Sequence, residues 1–175
     1  QILTTQEEHG WAFDVSAARE LEGTLRQELY DLNKVLQDRF PFVPGAEFTP
    51  KRSNKRTGYV EGATFTKLKD FNPQSRDHIA WVLKTYDNWD QKTKTPSGKI
   101  SIDETTLTAH GTKLGMIFLR SLEITKALGM ISEGANAWLK LSTTSNRIHH
   151  HCSVATNTHR CAHRKPNLGQ VPSDH

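Results

Sequence analysis

Two long apolar stripes constrain this chain more than any other feature. Ala18, Leu21, Leu25, Leu29, Leu32 and Leu36 recur at spacings of three and four. Leu114, Phe118, Leu122, Leu128, Ile131, Ala135 and Trp138 form a second helical stripe. Such spacing lines one face of an α-helix. Each stripe must be buried, most simply against the other as an antiparallel pair. Asp14 can accept from the free N–H groups of the first helix's opening turn. Pro41 ends that helix, because the residue before a proline avoids helical geometry. The second helix, if unbroken from Gly111 to Leu141, would span roughly 45 Å, with Gly129 and Gly134 as points of interruption.

Between the stripes the period fails. Residues 41–70 hold Pro41, Pro44, Gly45, Pro50, Gly58 and Gly62. They read as a loop-rich insertion with a short hairpin around Tyr59 to Phe65. Asn72-Pro73 then opens a helix, with Asn72 as cap and proline in the first turn. Ile79, Val82 and Leu83 face inward from it. Lys92 to Lys99 reads as a loop, and Ser101 to Glu104 matches a capping box. After Ser142 the chain turns polar, and His149 to Ala155 and Thr158 to His163 read as short extended segments. Within 175 residues this makes one domain, or one domain plus a fragment.

Composition excludes several classes. The longest apolar run, Leu114 to Leu119, is far short of the roughly 20 residues of a membrane span. Cys152 and Cys161 are the only cysteines, too few for a disulfide scaffold. No basic-then-apolar leader opens the chain, so secretion is not indicated. Gln1 stands where an initiator methionine would, as in a piece of something longer.

The net charge of +4 hides an asymmetry. Residues 1–40 carry eight acids and four basic residues, whereas 51–56 read KRSNKR. From Gly134 to Ser173 there are five cations (Lys140, Arg147, Arg160, Arg164, Lys165), five histidines and no acid. Two acid-free basic zones suggest a polyanionic partner. Either zone can also be an ordinary solvated loop or tail.

Three ordered strings carry a family resemblance. They are FNPQSRDHI (Phe71 to Ile79), SEGANAWL (Ser132 to Leu139) and THRCAHRKPNLGQVP (Thr158 to Pro172). GYVEGA (Gly58 to Ala63) precedes them. In this order and spacing they resemble the phage branch of the family A DNA polymerases, over most of residues 8–172. The last string resembles the T-G-R and P-N-L-x-Q-I-P elements at the start of that family's palm. Thr158 and Arg160 match the first element. Pro166, Asn167, Leu168, Gln170 and Pro172 match the second, with Val171 for isoleucine. His159 replaces the family glycine, and Gly169 stands where many bacterial relatives carry glutamine.

The resemblance implies a mainly α fold. It would be an antiparallel long-helix thumb over 1–145, with 41–70 as a loop-rich basic insertion, followed by short β segments of a truncated palm over 146–175. It implies a DNA-binding thumb and palm fragment of a DNA-directed DNA polymerase in phage-type replication, in the cytoplasm of an infected bacterial host. The family grips primer–template duplex through phosphate contacts. Asn72, Ser75, Arg76 and Lys126 fall where such contacts are made. Arg160, Asn167 and Gln170 fall where the family reaches the minor groove at the primer terminus, whose acceptors are common to every correct pair.

The family's two magnesium ions sit on palm carboxylates that follow this segment. The chain by itself is therefore expected to be inactive and to hold no cofactor, with Mg²⁺ belonging to the complete enzyme. Its expected partners are primer–template DNA and the remaining palm and fingers. One branch recruits thioredoxin through a longer insertion at the place of 41–70, so thioredoxin binding is not expected here.

Two other readings compete. His159, Cys161 and His163 alternate and, with Cys152 and His149 to His151, could hold zinc in a standalone nucleic-acid-binding module. No C-x2-C or H-x3-H pair supports that reading, and no metal residue is assigned. The third reading is a helical interaction protein without a nucleic-acid partner. Acid–base catalysis by Asp87 or Asp90 has no supporting motif.

Overall fold

The computed structural model describes residues 2–90, 92–153 and 161–170. The chain divides into two compact units, Gln1–Glu28 with Ile124–His175, and Leu29–Glu123. About half of it is helical, and its strands are short and antiparallel.

The order begins with α1 (Ile2–His9), β1 (Trp11–Ala12) and α2 (Val15–Arg39). Asp14 accepts from Ala17 N–H at 2.9 Å, and α2 stops two residues before Pro41. β2 (Phe42–Phe48) pairs with β3 (Phe65–Asp70). This corrects the sequence expectation for 41–70, which put a hairpin at Tyr59 to Phe65. The ends of the stretch form a ribbon, and an irregularity in its register between Pro44 and Glu47 absorbs Pro44 and Gly45. A Cβ on Gly45 would lie 2.8 Å from the Lys67 carbonyl, so the partner strand approaches closer than a side chain allows. Phe48, Tyr59 and Phe65 stack at the far end of the ribbon, with ring centroids 5.0–6.0 Å apart.

α3 (Arg76–Tyr86), α4 (Glu104–His110) and α5 (Lys113–Leu128) follow. Ile79, Val82 and Leu83 of α3 are fully buried. They pack with Leu36, Phe40, Val43, Phe71, Leu107 and Phe118 into the core of the Leu29–Glu123 unit. Two expected helix starts shift. The N-cap of α3 is Ser75 rather than Asn72. The capping box of α4 centres on Asp103, whose carboxylate accepts from Thr106 N–H at 2.9 Å while Thr106 Oγ1 accepts from Asp103 N–H at 3.0 Å. Ser101 instead donates to the Asp103 carboxylate at 2.6 Å.

The second stripe is interrupted at its glycines. α5 passes into a π-helical turn, Gly129–Glu133, closed by Gly134 N–H on the Gly129 carbonyl at 2.9 Å. A Cβ on Gly134 would sit 2.5 Å from that carbonyl. α6 (Trp138–Leu141), β4 (Arg147–Ile148), β5 (His151–Ser153), β6 (Ala162–Arg164) and a 3₁₀ turn (Leu168–Gln170) complete the order. β4 pairs with β1, and β5 with β6. In this unit Leu25, Ile124, Leu128, Ile131, Ala137 and Ile148 are buried. Among the described residues no helix is long and apolar enough to cross a membrane.

Candidate nucleic-acid interface

In the Leu29–Glu123 unit the FNPQSRDHI string forms a turn that feeds α3. Asn72 Oδ1 accepts from Gln74 N–H at 2.9 Å, and the Asn72 carbonyl accepts from Ser75 N–H at 3.0 Å. Such a turn mimics the first bonds of a helix, which is why Asn72 reads as a cap from sequence. Ser75 makes no side-chain cap bond, so its hydroxyl is not spent on the helix end. Arg76 is exposed, and its charge helps hold the Asp103 carboxyl below its usual range, after the larger effect of the Ser101 hydroxyl.

Ser75, Arg76, Asp77, Thr95, Ser97 and Lys99 line an open cleft of about 260 Å³ at the start of α3. Lys99 reaches the Asp77 carboxylate at 2.6 Å, and the Thr95 and Ser97 hydroxyls lie 2.9 Å apart. Sequence reasoning found Ser75 and Arg76 but missed Lys99, Thr95 and Ser97. Those three come from a loop whose return is set by the bridge of Lys94 with Ile100. Gln74 was missed as well. Its amide donates to fully buried Ser121 of α5 at 2.8 Å and reaches Asn33 of α2 at 3.4 Å, anchoring the turn to both long helices.

KRSNKR lies in the β2–β3 connection and is exposed. Asn54 bridges to Tyr59, and Ser53 Oγ accepts from Glu61 N–H at 2.9 Å, so the backbone of the basic run is folded back on itself.

In the other unit, Lys126 is exposed in the last turn of α5. Asn167 is exposed and its Oδ1 accepts from Gly169 N–H at 3.1 Å. Its carbonyl oxygen holds the turn, which leaves the side-chain amide N–H groups for a partner. Arg160 and His159 lie outside the described residues, as does the side chain of Gln170.

The acid-free tail is partly structural, which corrects its reading as a single basic zone. Lys140 Nζ donates to the Glu133 and Gly134 carbonyls at 2.8 and 3.1 Å. Arg147 donates from Nε to the His9 carbonyl at 2.6 Å and from Nη2 to the Gly10 carbonyl at 3.2 Å. Arg164 and Lys165 are exposed. Gly134 to Ser173 contains no carboxylate, so this segment does not fit a two-magnesium centre, and no transfer step is assigned to it.

Asp87 and His110, which no motif singled out as a pair, meet at 2.8 Å, and Thr112 donates to the same Asp87 oxygen. Burial pushes the Asp87 carboxyl up, but the Thr112 and His110 bonds outweigh it and leave the carboxyl below its usual range. With Trp89 against the His110 ring, this triad ties the end of α3 to α4 and α5. It joins these three helices within the unit.

Beside the 3₁₀ turn, Cys152 and Cys161 are disulfide-bonded with Cα atoms 6.2 Å apart. His150 is buried, and its ring packs 5.0 Å from that of His163. Burial first, and the nearby His163 second, lower the tendency of His150 to take a proton.

No protein-family model matches the chain, and no curated protein does. Among solved structures it is similar to the POL domain of Pol1 from M. smegmatis in complex with DNA primer–template and dNTP. The TM-score is 0.65 and the identity 16%. The match covers 99% of this chain and 26% of that one, so the chain spans about a quarter of the length of its structural neighbour. At that identity the likeness is one of fold: this chain folds as part of a DNA polymerase domain does.

Proposed function

We propose that the chain is the duplex-gripping thumb and first palm strands of a family A DNA polymerase of the phage branch. The observation that carries the reading is the polymerase-like fold across 99% of the chain, combined with three family strings in the family's order. The neighbour's primer–template DNA supplies the partner class.

Each unit offers its own contacts. At the start of α3, Asn72, Ser75 and Arg76 meet a phosphate through the Asn72 side-chain amide, the Ser75 hydroxyl and the Arg76 guanidinium fork. Lys99 lines the same cleft, its charge paired with Asp77. Lys126 takes a second phosphate as a point charge. Arg160, Asn167 and Gln170 check the primer terminus in the minor groove, where purine N3 and pyrimidine O2 accept regardless of sequence. The magnesium chemistry belongs to the rest of the enzyme, and this chain's residues bind and orient.

The test is fluorescence anisotropy of labelled random duplexes, titrated with the 175-residue chain at stepped salt. The expected result is sequence-independent binding whose log affinity falls linearly with log salt. Binding that ignores salt, or a strong preference for one sequence, overturns the reading.

A further inference from the structure

We propose that His150, Cys152, Cys161 and His163 form a tetrahedral zinc site when the two cysteines are reduced.

The hairpin geometry brings the donors together. Cys152 stands opposite His163 in the β5–β6 register. His150 precedes Cys152 by two residues and Cys161 precedes His163 by two, and alternate residues share one face of an extended chain. The ligating atoms of His150, Cys152 and His163 all lie within 4.8 Å of one another, and the Cys161 sulfur is bonded to that of Cys152. Two sulfurs and two imidazole nitrogens converging in this way are the donor set of structural zinc.

A second observation is independent of that placement. Among the described residues, His150 Nε2 and His163 Nδ1 are buried with no hydrogen-bond partner. A buried polar atom left unpaired is costly. The disulfide satisfies the sulfurs but leaves both nitrogens unpaired, whereas one zinc ion satisfies all four donors.

The surroundings support the site from α1. Glu7 accepts from Cys152 N–H at 2.5 Å and pairs with His151 at 3.0 Å, and its carbonyl accepts from His149 Nδ1 at 2.9 Å. The ring of His163 also lies beside Gly169, where a Cβ would be 3.9 Å away, so a metal here would stiffen the PNLGQ turn. The H-x-C and C-x-H spacing suits strands rather than the C-x2-C knuckle, which is why the sequence reading gave it little weight.

Trp11 supplies a reporter. Its Nε1–H donates to His150 Nδ1 at 3.1 Å, which puts the imidazole proton on Nε2. Zinc at Nε2 displaces that proton and makes Nδ1 the N–H, so Nδ1 can no longer accept and Trp11 is released.

The experiment uses the whole 175-residue chain, and the site stands or falls apart from any DNA contact. A phosphine opens the disulfide, giving two thiols and, with oxygen from water, the phosphine oxide. Cobalt(II) is then titrated in, followed by zinc. The expected result is one cobalt per chain, with tetrahedral ligand-field bands and sulfur-to-cobalt charge transfer, all displaced by zinc. Tryptophan emission changes on loading, and Trp11→Phe abolishes that change while cobalt still binds. Cys161→Ser and His163→Ala each weaken zinc by more than about 100-fold, beyond what loss of a supporting contact costs. Far-UV circular dichroism verifies that the variants fold. His9→Ala, at an exposed histidine of α1 outside the four donors, leaves the bands intact.

The proposal is overturned if the reduced chain gives no stoichiometric tetrahedral cobalt. It is overturned equally if the oxidised chain binds as well, or if His9→Ala removes the bands while His163→Ala keeps them.

Discussion

Replacing Gln74 by methionine removes a half-buried donor at nearly constant volume. The side-chain amide of Gln74 donates to Ser121 Oγ at 2.8 Å and to Asn33 Oδ1 at 3.4 Å. The second bond is at the limit of useful geometry, so the first dominates. Ser121 is fully buried, and water cannot take the place of the lost donor. Ser121 Oγ keeps its own bond to Asn33 Oδ1 at 3.4 Å, so the loss is that of one hydrogen bond, about 0.5–1.5 kcal/mol. For a chain of this size that is a drop in melting temperature of roughly 1–6 °C. Trp81 and Trp89 belong to the same unit and report its melting by fluorescence. Gln74 and Ser121 share one hydrogen bond, so the double variant Gln74→Met with Ser121→Ala should be more stable than the sum of the two single losses. The reasoning is refuted if Gln74→Met costs less than about 0.5 kcal/mol, within the range of an ordinary surface change, or if the two losses simply add.

Three further outcomes follow from the geometry. Asp87 has a folded-state carboxyl pKa below its ordinary 3.8, so its contribution to stability is full above that value and is lost as pH falls through the lower folded value. Asp87→Asn should therefore destabilise the chain at neutral pH, and urea melts should show that gap closing in acid. Gly134→Ala drives a Cβ to 2.5 Å from the Gly129 carbonyl and should cost about 1–3 kcal/mol, read from the far-UV circular dichroism melt. Arg76→Ala and Lys126→Ala should each weaken duplex binding evenly across sequences and lower the salt slope by roughly one, measured by anisotropy.

The parts of the fold legible in the sequence are those where one local signal acts without rivals. Asp14 and Pro41 bracket α2, and Ile79, Val82 and Leu83 repeat with helical period into the core. The start of α3 was displaced because the Asn72 turn and a true N-cap use the same residue types, and only the backbone distinguishes them. The 41–70 ribbon was obscured because its strands carry proline and glycine and β3 is largely exposed, so no alternating pattern marks them. The cleft residues Thr95, Ser97 and Lys99 depend on a loop return, and the Gln74 anchor on three separate elements. Lys140 and Arg147 look like free charges in the sequence because their partners are backbone carbonyls, which leave no trace in composition. The four donors around Cys152 depend on the pairing of β5 with β6, so their meeting is a property of strand register.

The most direct test of the duplex-gripping role is photocrosslinking from single positions. A photoreactive side chain is placed in turn at Arg76, Lys126 and Asn167, with Tyr30, exposed on α2 and outside every proposed contact, as the control. Each chain is irradiated with a labelled primer–template at low salt. The account predicts crosslinks to duplex DNA from positions 76 and 126, crosslinks near the primer terminus from position 167, and little from position 30. Equal labelling from all four positions, or labelling from position 30 alone, would contradict it.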